Sequence, residues 1–356
     1  MARHLLKKRL MWGMIIAIGI VIAIVGSTLG DSLLAVTAAT KPSYIVKDLG
    51  STNDYGSIAF DINNARQVVG STETRSNTSY PVLWDKGNKI DLGTLGGRFS
   101  IARNINKTGQ VVGYSQTSNG AYHAMLWNKG NKRDLETLGG KNSYAFSINN
   151  VGQVVGYSDI SNDAIHAVLW DKWGKGDMID LGTLGGNVST ATSINNVGQV
   201  VGSSQISNGD IHAILWDKGN MIDLGTLGGK NSYTTSINNV GQVVGYSQTS
   251  NGDYHAILWD KGNKIDLGTL GSDWSYATSI NNVGLVVGSS TAISYTRTPS
   301  HAVLWDKNLI KDLNNLIPPK SGWELSEARS INDKGQIVGY GKIKKRYRAF
   351  LLTPVK

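Results

Sequence analysis

The chain repeats one stretch of about 43 residues from near its beginning to its end. The Ile-Asn pair within this stretch occurs at Ile62, Ile105, Ile148, Ile194, Ile237, Ile280 and Ile331. Successive pairs are 43, 43, 46, 43, 43 and 51 residues apart. A period in this range is typical of repeat architectures, in which each copy buries its apolar faces against its neighbours. We number the copies units one to seven in chain order. This repetition constrains the fold more than any single motif does.

Each unit contains four short runs with the composition of β-strands. In unit five the runs are Tyr233–Asn238, Gln242–Ser247, Tyr254–Trp259 and Lys264–Leu267. The segments between them are turns, such as Asn239–Gly241, where a glycine is free to adopt positive φ. Because such short turns join antiparallel neighbours, each unit is predicted to be a four-stranded antiparallel sheet.

The predicted strands are apolar on both faces, so each sheet must be covered on both sides. Along His255–Trp259, for example, apolar side chains alternate between the two faces of the strand. Four-stranded sheets packed between copies of themselves are typical of β-propeller blades. The Asp-Leu pair of the fourth strand occurs once before unit one, at Asp48, and is missing after unit seven.

We therefore predict an all-β fold, a seven-bladed β-propeller of four-stranded antiparallel blades that spans residues 44–356. In this prediction Tyr44–Leu49 supplies the strand that unit seven lacks, and the ring closes. Closure removes two exposed sheet edges, which a protein otherwise has to protect. A ring left open, or a linear β-solenoid, is the alternative.

A hydrophobic leader precedes the repeats. Four basic residues, Arg3, Lys7, Lys8 and Arg9, come before the apolar run Leu10–Val25, and small residues follow up to Ala39. This order is typical of a secretory signal peptide over residues 1–38, with cleavage after Ala38 and a linker at 39–43. Residues 10–29 reach the length of about 20 that a spanning helix needs, so an uncleaved membrane anchor is the alternative. Under both interpretations the repeats lie outside the cytoplasm, either secreted or tethered to the outer face of the cytoplasmic membrane by the leader helix.

Composition excludes several kinds of site. The chain has no cysteine, which rules out disulfides, zinc-thiolate sites and a thiol nucleophile. Without residues 1–38 it has 31 basic and 25 acidic side chains, a net charge of +6. This excess is modest for a chain of this size, so we expect no nucleic-acid partner. We also expect the protein to have no cofactor and to be a monomer.

Three motifs recur in fixed order and resemble the HAF-repeat family of probable extracellular bacterial proteins. They are Ile-Asn-x-x-Gly-Gln-Val-Val-Gly, His-Ala-x-Leu-Trp and Asp-Leu-Gly-Thr-Leu-Gly-Gly, and together they cover residues 44–354. The resemblance implies export and a repeat fold, but no settled activity and no catalytic residues. Unit one departs from the pattern at Tyr80-Pro81, where His-Ala is expected, and at Arg66, where the turn glycine is expected.

Chemically suggestive residues that recur in most units are interpreted as structural. Metal ligands and catalytic groups must converge on one point, whereas a residue repeated in each blade is spread around the ring. We therefore expect hydrogen-bonded partners for the recurring histidines and aspartates, and blade-to-blade packing for the tryptophans. No metal site and no catalytic residue are predicted. These histidines and tryptophans are His123, His166, His212, His255 and His301, and Trp84, Trp127, Trp170, Trp216, Trp259 and Trp305.

Positions that differ between units are better candidates for binding. The connection after Asp-Leu-Gly carries aromatic residues in units one, two, six and seven, namely Tyr55, Phe99, Trp274 and Trp323. Units three to five carry Asn142, Val188 and Asn231 at the corresponding position. Four aromatic rings in connecting loops on one side of a ring are suited to stacking on a glycan or holding a protein partner. We predict a ligand-binding site there.

The sequence thus favours an exported, non-catalytic repeat protein that acts as a binding scaffold for an extracellular glycan or protein. One alternative is a polysaccharide-active enzyme with its site at a propeller mouth. Glu136, Glu324 and Glu327 are carboxylates that do not repeat, but their spacing brings no two of them to a common centre. Another alternative is a purely structural surface protein.

Overall fold

The computed structural model describes residues 43–50, 55–75, 78–160, 164–171, 178–291, 300–307 and 309–355. Regular structure in these ranges consists of β-strands and one 3₁₀ turn at Leu313–Leu316. The predicted leader, residues 1–38, lies outside them. Within the described ranges there is no helix of the length and hydropathy needed to span a membrane.

Twenty-eight strands follow one another in the described residues. The first is β1 (Tyr44–Asp48). Units one to three contain β2 (Ser57–Ile62), β3 (Val68–Glu73), β4 (Ser79–Asp85), β5 (Asn88–Asp91), β6 (Gly96–Ile105), β7 (Val111–Thr117), β8 (Tyr122–Asn128), β9 (Asn131–Asp134), β10 (Gly139–Ile148), β11 (Val154–Ile160), β12 (Ile165–Trp170) and β13 (Met178–Asp180). Units four to seven contain β14 (Gly185–Ile194), β15 (Val200–Ile206), β16 (Ile211–Asp217), β17 (Asn220–Asp223), β18 (Gly228–Ile237), β19 (Val243–Thr249), β20 (Tyr254–Asp260), β21 (Asn263–Asp266), β22 (Ser275–Ile280), β23 (Val286–Ser290), β24 (His301–Asp306), β25 (Leu309–Asp312), β26 (Trp323–Ile331), β27 (Ile337–Ile343) and β28 (Arg346–Pro354).

The strands of each unit form an antiparallel sheet in chain order, as the sequence predicted. Single parallel pairs, Ser79 with Phe99 and Ile165 with Val188, join units one and two and units three and four into eight-stranded sheets. β1 pairs antiparallel with β28, so that Tyr44 lies opposite Pro354. The strand that comes before unit one therefore completes the sheet of unit seven.

The first strand of most units begins earlier than predicted. In unit five β18 begins at Gly228, whereas the sequence indicated Tyr233. A bulge interrupts the pairing between Gly228 and Ser232. Gly229 lies so close to β19 that a Cβ atom there would be 2.6 Å from the carbonyl oxygen of Thr249. The paired glycines resemble a loop in the sequence, but they allow two backbones to approach and so extend the sheet.

Apolar residues fill the space between successive units. Seven buried clusters occur in the described structure, and each combines residues of two consecutive units, with unit seven packing on unit one. Between units four and five, for example, Val201 and Ala213 pack with Ile257 and Trp259. This burial confirms the prediction that both faces of each sheet are covered.

A circuit of asparagine side chains runs through all seven units. In each unit the amide of the Ile-Asn asparagine donates a hydrogen bond to the main-chain oxygen of its counterpart in the next unit, over 3.0 to 3.2 Å. The last of these bonds runs from unit seven to unit one. The seven residues are Asn63, Asn106, Asn149, Asn195, Asn238, Asn281 and Asn332.

The same asparagines also hold their own turns. The oxygen Oδ1 of Asn238 accepts hydrogen bonds from the backbone N–H groups of Val240, at 3.2 Å, and Gln242, at 2.9 Å. Its amide also donates to Oε1 of Gln242 at 2.8 Å. One side chain therefore fixes a hairpin and joins it to the next unit.

We expect Asn238→Ala to lower the free energy of unfolding by about 3 kcal/mol, because several part-buried polar groups lose their partners together. The matched control is Val240→Ala in the same turn, whose side chain is 68% exposed and should change stability by less than about 0.5 kcal/mol. Chemical denaturation followed by tryptophan fluorescence measures both. Equal losses in the two variants would contradict the role assigned to the asparagine.

Candidate functional site

The first strands of all seven units line one channel. Two adjoining cavities of about 370 and 300 Å³ share a single layer of polar residues. The layer consists of Asp61, Asn104, Ser147, Ser193, Ser236, Ser279 and Ser330. Each of these residues directly precedes the Ile-Asn pair of its unit, so the layer crosses the channel between the two cavities.

The wall of the larger cavity differs from one side to the other. The residue two places before the isoleucine is a threonine in units four to six, namely Thr192, Thr235 and Thr278. Units seven, one, two and three carry Arg329, Phe60, Arg103 and Phe146 at the same position. One side of the channel is therefore lined by hydroxyls, and the other by guanidinium and phenyl groups in alternation. These residues were not among those predicted, although a comparison of the seven units at this position reveals them.

Both arginines contact aromatic rings, and they share the ring of Phe60. The guanidinium carbon of Arg103 lies 4.8 Å from the centroid of the Phe60 ring and 5.3 Å from that of Phe146. Arg329 lies 5.6 Å from the Phe60 centroid and 5.7 Å from that of Tyr340. Cation–π contacts of this kind hold both guanidinium groups at the channel wall.

Arg329 and Arg103 differ in their ionic partners. Nε of Arg329 lies 3.0 Å from Oε1 of Glu327, close enough for an ion pair although the direction of the N–H does not form a hydrogen bond. Glu327 also accepts a hydrogen bond from the hydroxyl of Tyr340 at 2.9 Å. Among the described residues no carboxylate forms an ion pair with Arg103.

The carboxylate of the polar layer, Asp61, is bonded into the wall. It accepts hydrogen bonds from the side chains of Asn104 and Ser330, each at 2.6 Å, and from the backbone N–H of Ile105 at 2.9 Å. Burial raises the pKa of Asp61, and these donors oppose that rise. Asp61 therefore links unit one to its two neighbours.

A second group of aromatic side chains surrounds Trp274. The Trp274 ring lies 5.3 Å from Tyr254 and 6.0 Å from Tyr276, measured between centroids. Tyr276 in turn meets Tyr246 edge-on at 4.8 Å. Burial raises the pKa of Tyr276 to about 12, so its hydroxyl remains protonated at neutral pH. Trp274 is 43% exposed and forms the outer face of this group.

The four predicted binding residues occupy different environments. Tyr55 and Phe99 are each 38% exposed, whereas the half-buried Trp323 packs edge-on against Phe350 at 6.1 Å. No ring contact in the described part of the chain joins two of the four. Phe99 lies within β6 and Trp323 begins β26, so the placement of these two side chains in loops is wrong. The strands extend further than the sequence suggested.

Phe99 and Trp274 do occupy the same place in their units, as predicted. Each forms a parallel bridge with the third strand of the preceding unit, at Ser79 and Tyr254 respectively. In units three and five the asparagine at this position accepts a hydrogen bond from the backbone of that strand: Asn142 from Tyr122 at 3.0 Å, and Asn231 from Ile211 at 2.9 Å. Aromatic rings thus replace a structural side chain in units two and six.

The recurring histidines have structural partners, as expected. In every case Nδ1 lies 2.6 to 2.8 Å from a carboxylate oxygen of the Asp-Leu aspartate in the neighbouring strand. The other oxygen of each aspartate accepts from the backbone two residues later, as Asp266 does from Gly268 at 2.8 Å. These pairs fasten the fourth strand to the third within one unit.

The recurring tryptophans are buried between units, which confirms their predicted packing role. Four of them donate an indole N–H to the carbonyl of the Asp-Leu leucine in the preceding unit, over 2.7 to 3.0 Å. They are Trp127, Trp170, Trp216 and Trp259. The buried indole N–H groups of Trp84 and Trp305 have no hydrogen-bond partner among the described residues.

Comparison with known proteins bears on the fold alone. No protein-family model matches the chain, and none of the curated proteins matches it. TolB from Acinetobacter baumannii is 12% identical and has a TM-score of 0.51, with 84% of this chain and 64% of TolB covered. A puromycin hydrolase mutant complexed with PGG is 11% identical and has a TM-score of 0.54, with 83% and 52% covered. The chain thus spans less than two thirds of either protein.

A third similar structure is the WD40 β-propeller domain of Doa1, 14% identical with a TM-score of 0.49 over 86% of this chain and 96% of that domain. In the present chain, four-stranded antiparallel sheets pack face to face around a channel. The fold is a β-propeller. Likeness at this level of identity does not extend to activity or ligand.

We expect Trp259→Phe to destabilise the protein by about 1 kcal/mol more than Trp305→Phe. Both variants lose similar buried volume, but the first also breaks the 3.0 Å bond to the Leu224 carbonyl. The second removes an N–H that has no acceptor in the described structure. Equilibrium unfolding in urea compares the two, and equal losses would show that the inter-unit bond contributes nothing.

Proposed function

We propose that the protein is an exported, non-catalytic binding scaffold, built as a closed seven-bladed β-propeller that presents a surface to an extracellular glycan or protein. The observation that carries this proposal is a regular framework whose symmetry is broken at exposed aromatic positions. Histidine, aspartate and tryptophan residues that repeat are bonded within the framework. The side chains left to bind a partner are those that distinguish one unit from another.

Contacts between unit one and unit seven support seven blades and ring closure. The strand pair β1–β28 completes the last sheet, and the backbone N–H of Ala349 donates to Oγ of Ser57 at 3.0 Å. Asn332 donates to the carbonyl of Asn63 at 3.1 Å, in the same way as its counterparts do along the chain. In a closed propeller the sheet edges that remain are short, such as the four-residue β21 (Asn263–Asp266) at the edge of its sheet.

The proposed export rests on the sequence of the leader. Basic, apolar and small residues follow one another in the order of a secretory signal, and the HAF-repeat resemblance points to an extracellular location. An uncleaved leader, anchored through residues 10–29, would hold the propeller at the outer face of the cytoplasmic membrane. In both cases the propeller meets partners outside the cytoplasm.

The proposed binding surface centres on Trp274. Its ring is exposed on one side and supported on the other by Tyr254 and Tyr276, so little conformational freedom is lost when a ligand stacks on it. Phe99 offers an exposed ring at the same position of unit two. Supported, exposed aromatic rings favour both the face of a sugar and an apolar side chain of a protein.

The full-length chain, solubilised in mild detergent, is tested on a glycan array and by pull-down of extracellular proteins. We expect Trp274→Ala, alone and with Phe99→Ala, to weaken the binding that is detected by about tenfold, or 1.4 kcal/mol. Val283→Ala is the control, because Val283 lies in the same unit and is 69% exposed.

Two results would contradict the proposal. Binding that is unchanged in both aromatic variants would place the site elsewhere. Turnover of a polysaccharide by the wild-type chain, abolished by Glu324→Gln, would establish the enzymatic alternative instead.

A further inference from the structure

Arg103 lines the channel, is partly buried, and has no ionic partner among the described residues. It lies between the rings of Phe60 and Phe146. Aromatic faces attract a cation but are not conventional hydrogen-bond acceptors, so the five N–H donors of Arg103 are left for a further group. A fork of donors held in one place is suited to binding a carboxylate through two parallel hydrogen bonds.

The charge of this side chain requires compensation. The pKa of Arg103 is lowered, chiefly by burial. Tyr114 opposes this shift, and the nearby guanidinium of Arg329 adds to it. A guanidinium is a very strong base, so Arg103 keeps its proton at neutral pH despite this lowering. Arg103 is only partly buried, but a cation partly withdrawn from water and without an ionic partner loses solvation energy, which a bound anion restores.

Asp61 does not provide the missing anion. Its oxygens face Asn104, Ile105 and Ser330, and it forms no ion pair with the described arginines. Glu327 is bonded to Tyr340 and pairs with Arg329. These carboxylates therefore already have partners, whereas Arg103 has no ionic partner in the part of the chain that the structure describes.

The opposite wall of the same cavity suits a ligand rich in hydroxyl groups. The hydroxyl of Thr235 lies within hydrogen-bond distance of two carbonyls, those of Ala277 at 2.8 Å and Val244 at 3.1 Å, and its single hydrogen is donated to them. The hydroxyl of Thr278 donates to the carbonyl of Ala328 at 2.7 Å. Both threonines line the cavity, and because each hydroxyl hydrogen is donated to a main-chain carbonyl, each oxygen keeps lone pairs that can accept hydrogen bonds from ligand hydroxyls.

We propose that the channel binds an acidic sugar of the uronic acid class, with its carboxylate on Arg103 and its hydroxyls against the threonine wall. The volume of about 370 Å³ falls within the range of small-molecule sites and accommodates one sugar residue. Phe60 and Phe146 hold the guanidinium in position for the carboxylate. This site is separate from the surface around Trp274 and does not depend on it.

The test is calorimetric titration of the full-length chain with three ligands: D-glucuronate, D-glucose as its neutral counterpart, and acetate as a carboxylate without hydroxyls. We expect glucuronate to bind at least tenfold more tightly than glucose. Arg103→Thr introduces the residue that units four to six carry at this position, and should weaken glucuronate binding at least tenfold. The same variant should leave the melting temperature largely unchanged, because threonine already occupies this position in units four to six.

Controls separate this site from general charge effects. Arg98→Thr makes the same change in charge on the same strand at an exposed position and should leave binding unchanged. Trp274→Ala should likewise leave glucuronate binding intact, so this proposal and the proposed surface site fail independently. The proposal would be overturned by equal affinity for glucuronate and glucose, by equal affinity for glucuronate and acetate, or by undiminished binding in a folded Arg103→Thr variant.

Discussion

The asparagine circuit is the interaction on which the rest of the structure depends. Each Ile-Asn asparagine shapes its own turn and also donates to the main chain of the next unit, so local geometry and assembly come from one side chain. Apolar packing between sheets supplies most of the stabilisation but has little direction. The amide-to-carbonyl bonds are directional, and they fix how each sheet is placed against its neighbour.

Repetition explains why so many residues of chemically reactive types have structural partners here. Each histidine is paired with the aspartate of the adjacent strand, and four tryptophans donate to the preceding unit. The units differ from one another at positions outside these repeated histidine, aspartate and tryptophan bonds. The channel wall changes from threonine to arginine and phenylalanine, and the bridging asparagine of units three and five gives way to Phe99 and Trp274. In a repeat protein of this kind, the residues that differ between units are the best candidates for binding a partner.

The sequence was sufficient to predict the strand order within a unit, because its apolar pattern and its turns depend on near neighbours. It also predicted the pairing of β1 with β28 from one strand too many at the start and one too few at the end. It did not reveal that the paired glycines extend β18, since close approach of two backbones depends on tertiary structure. It missed Arg103 for a similar reason. In sequence the residue is one charge in a strand, and only the assembled channel shows that no carboxylate in the described ranges forms an ion pair with it.

The one-way direction of the asparagine bonds has a consequence for fragments of the chain. Every unit offers a donor face to the unit after it and an acceptor face to the unit before it, which makes each junction a heterologous interface. A truncated chain with fewer units would carry an unused face of each kind. Such fragments should join head to tail into rings or filaments, whereas in the intact chain the donor of unit seven, Asn332, already meets the acceptor of unit one, Asn63.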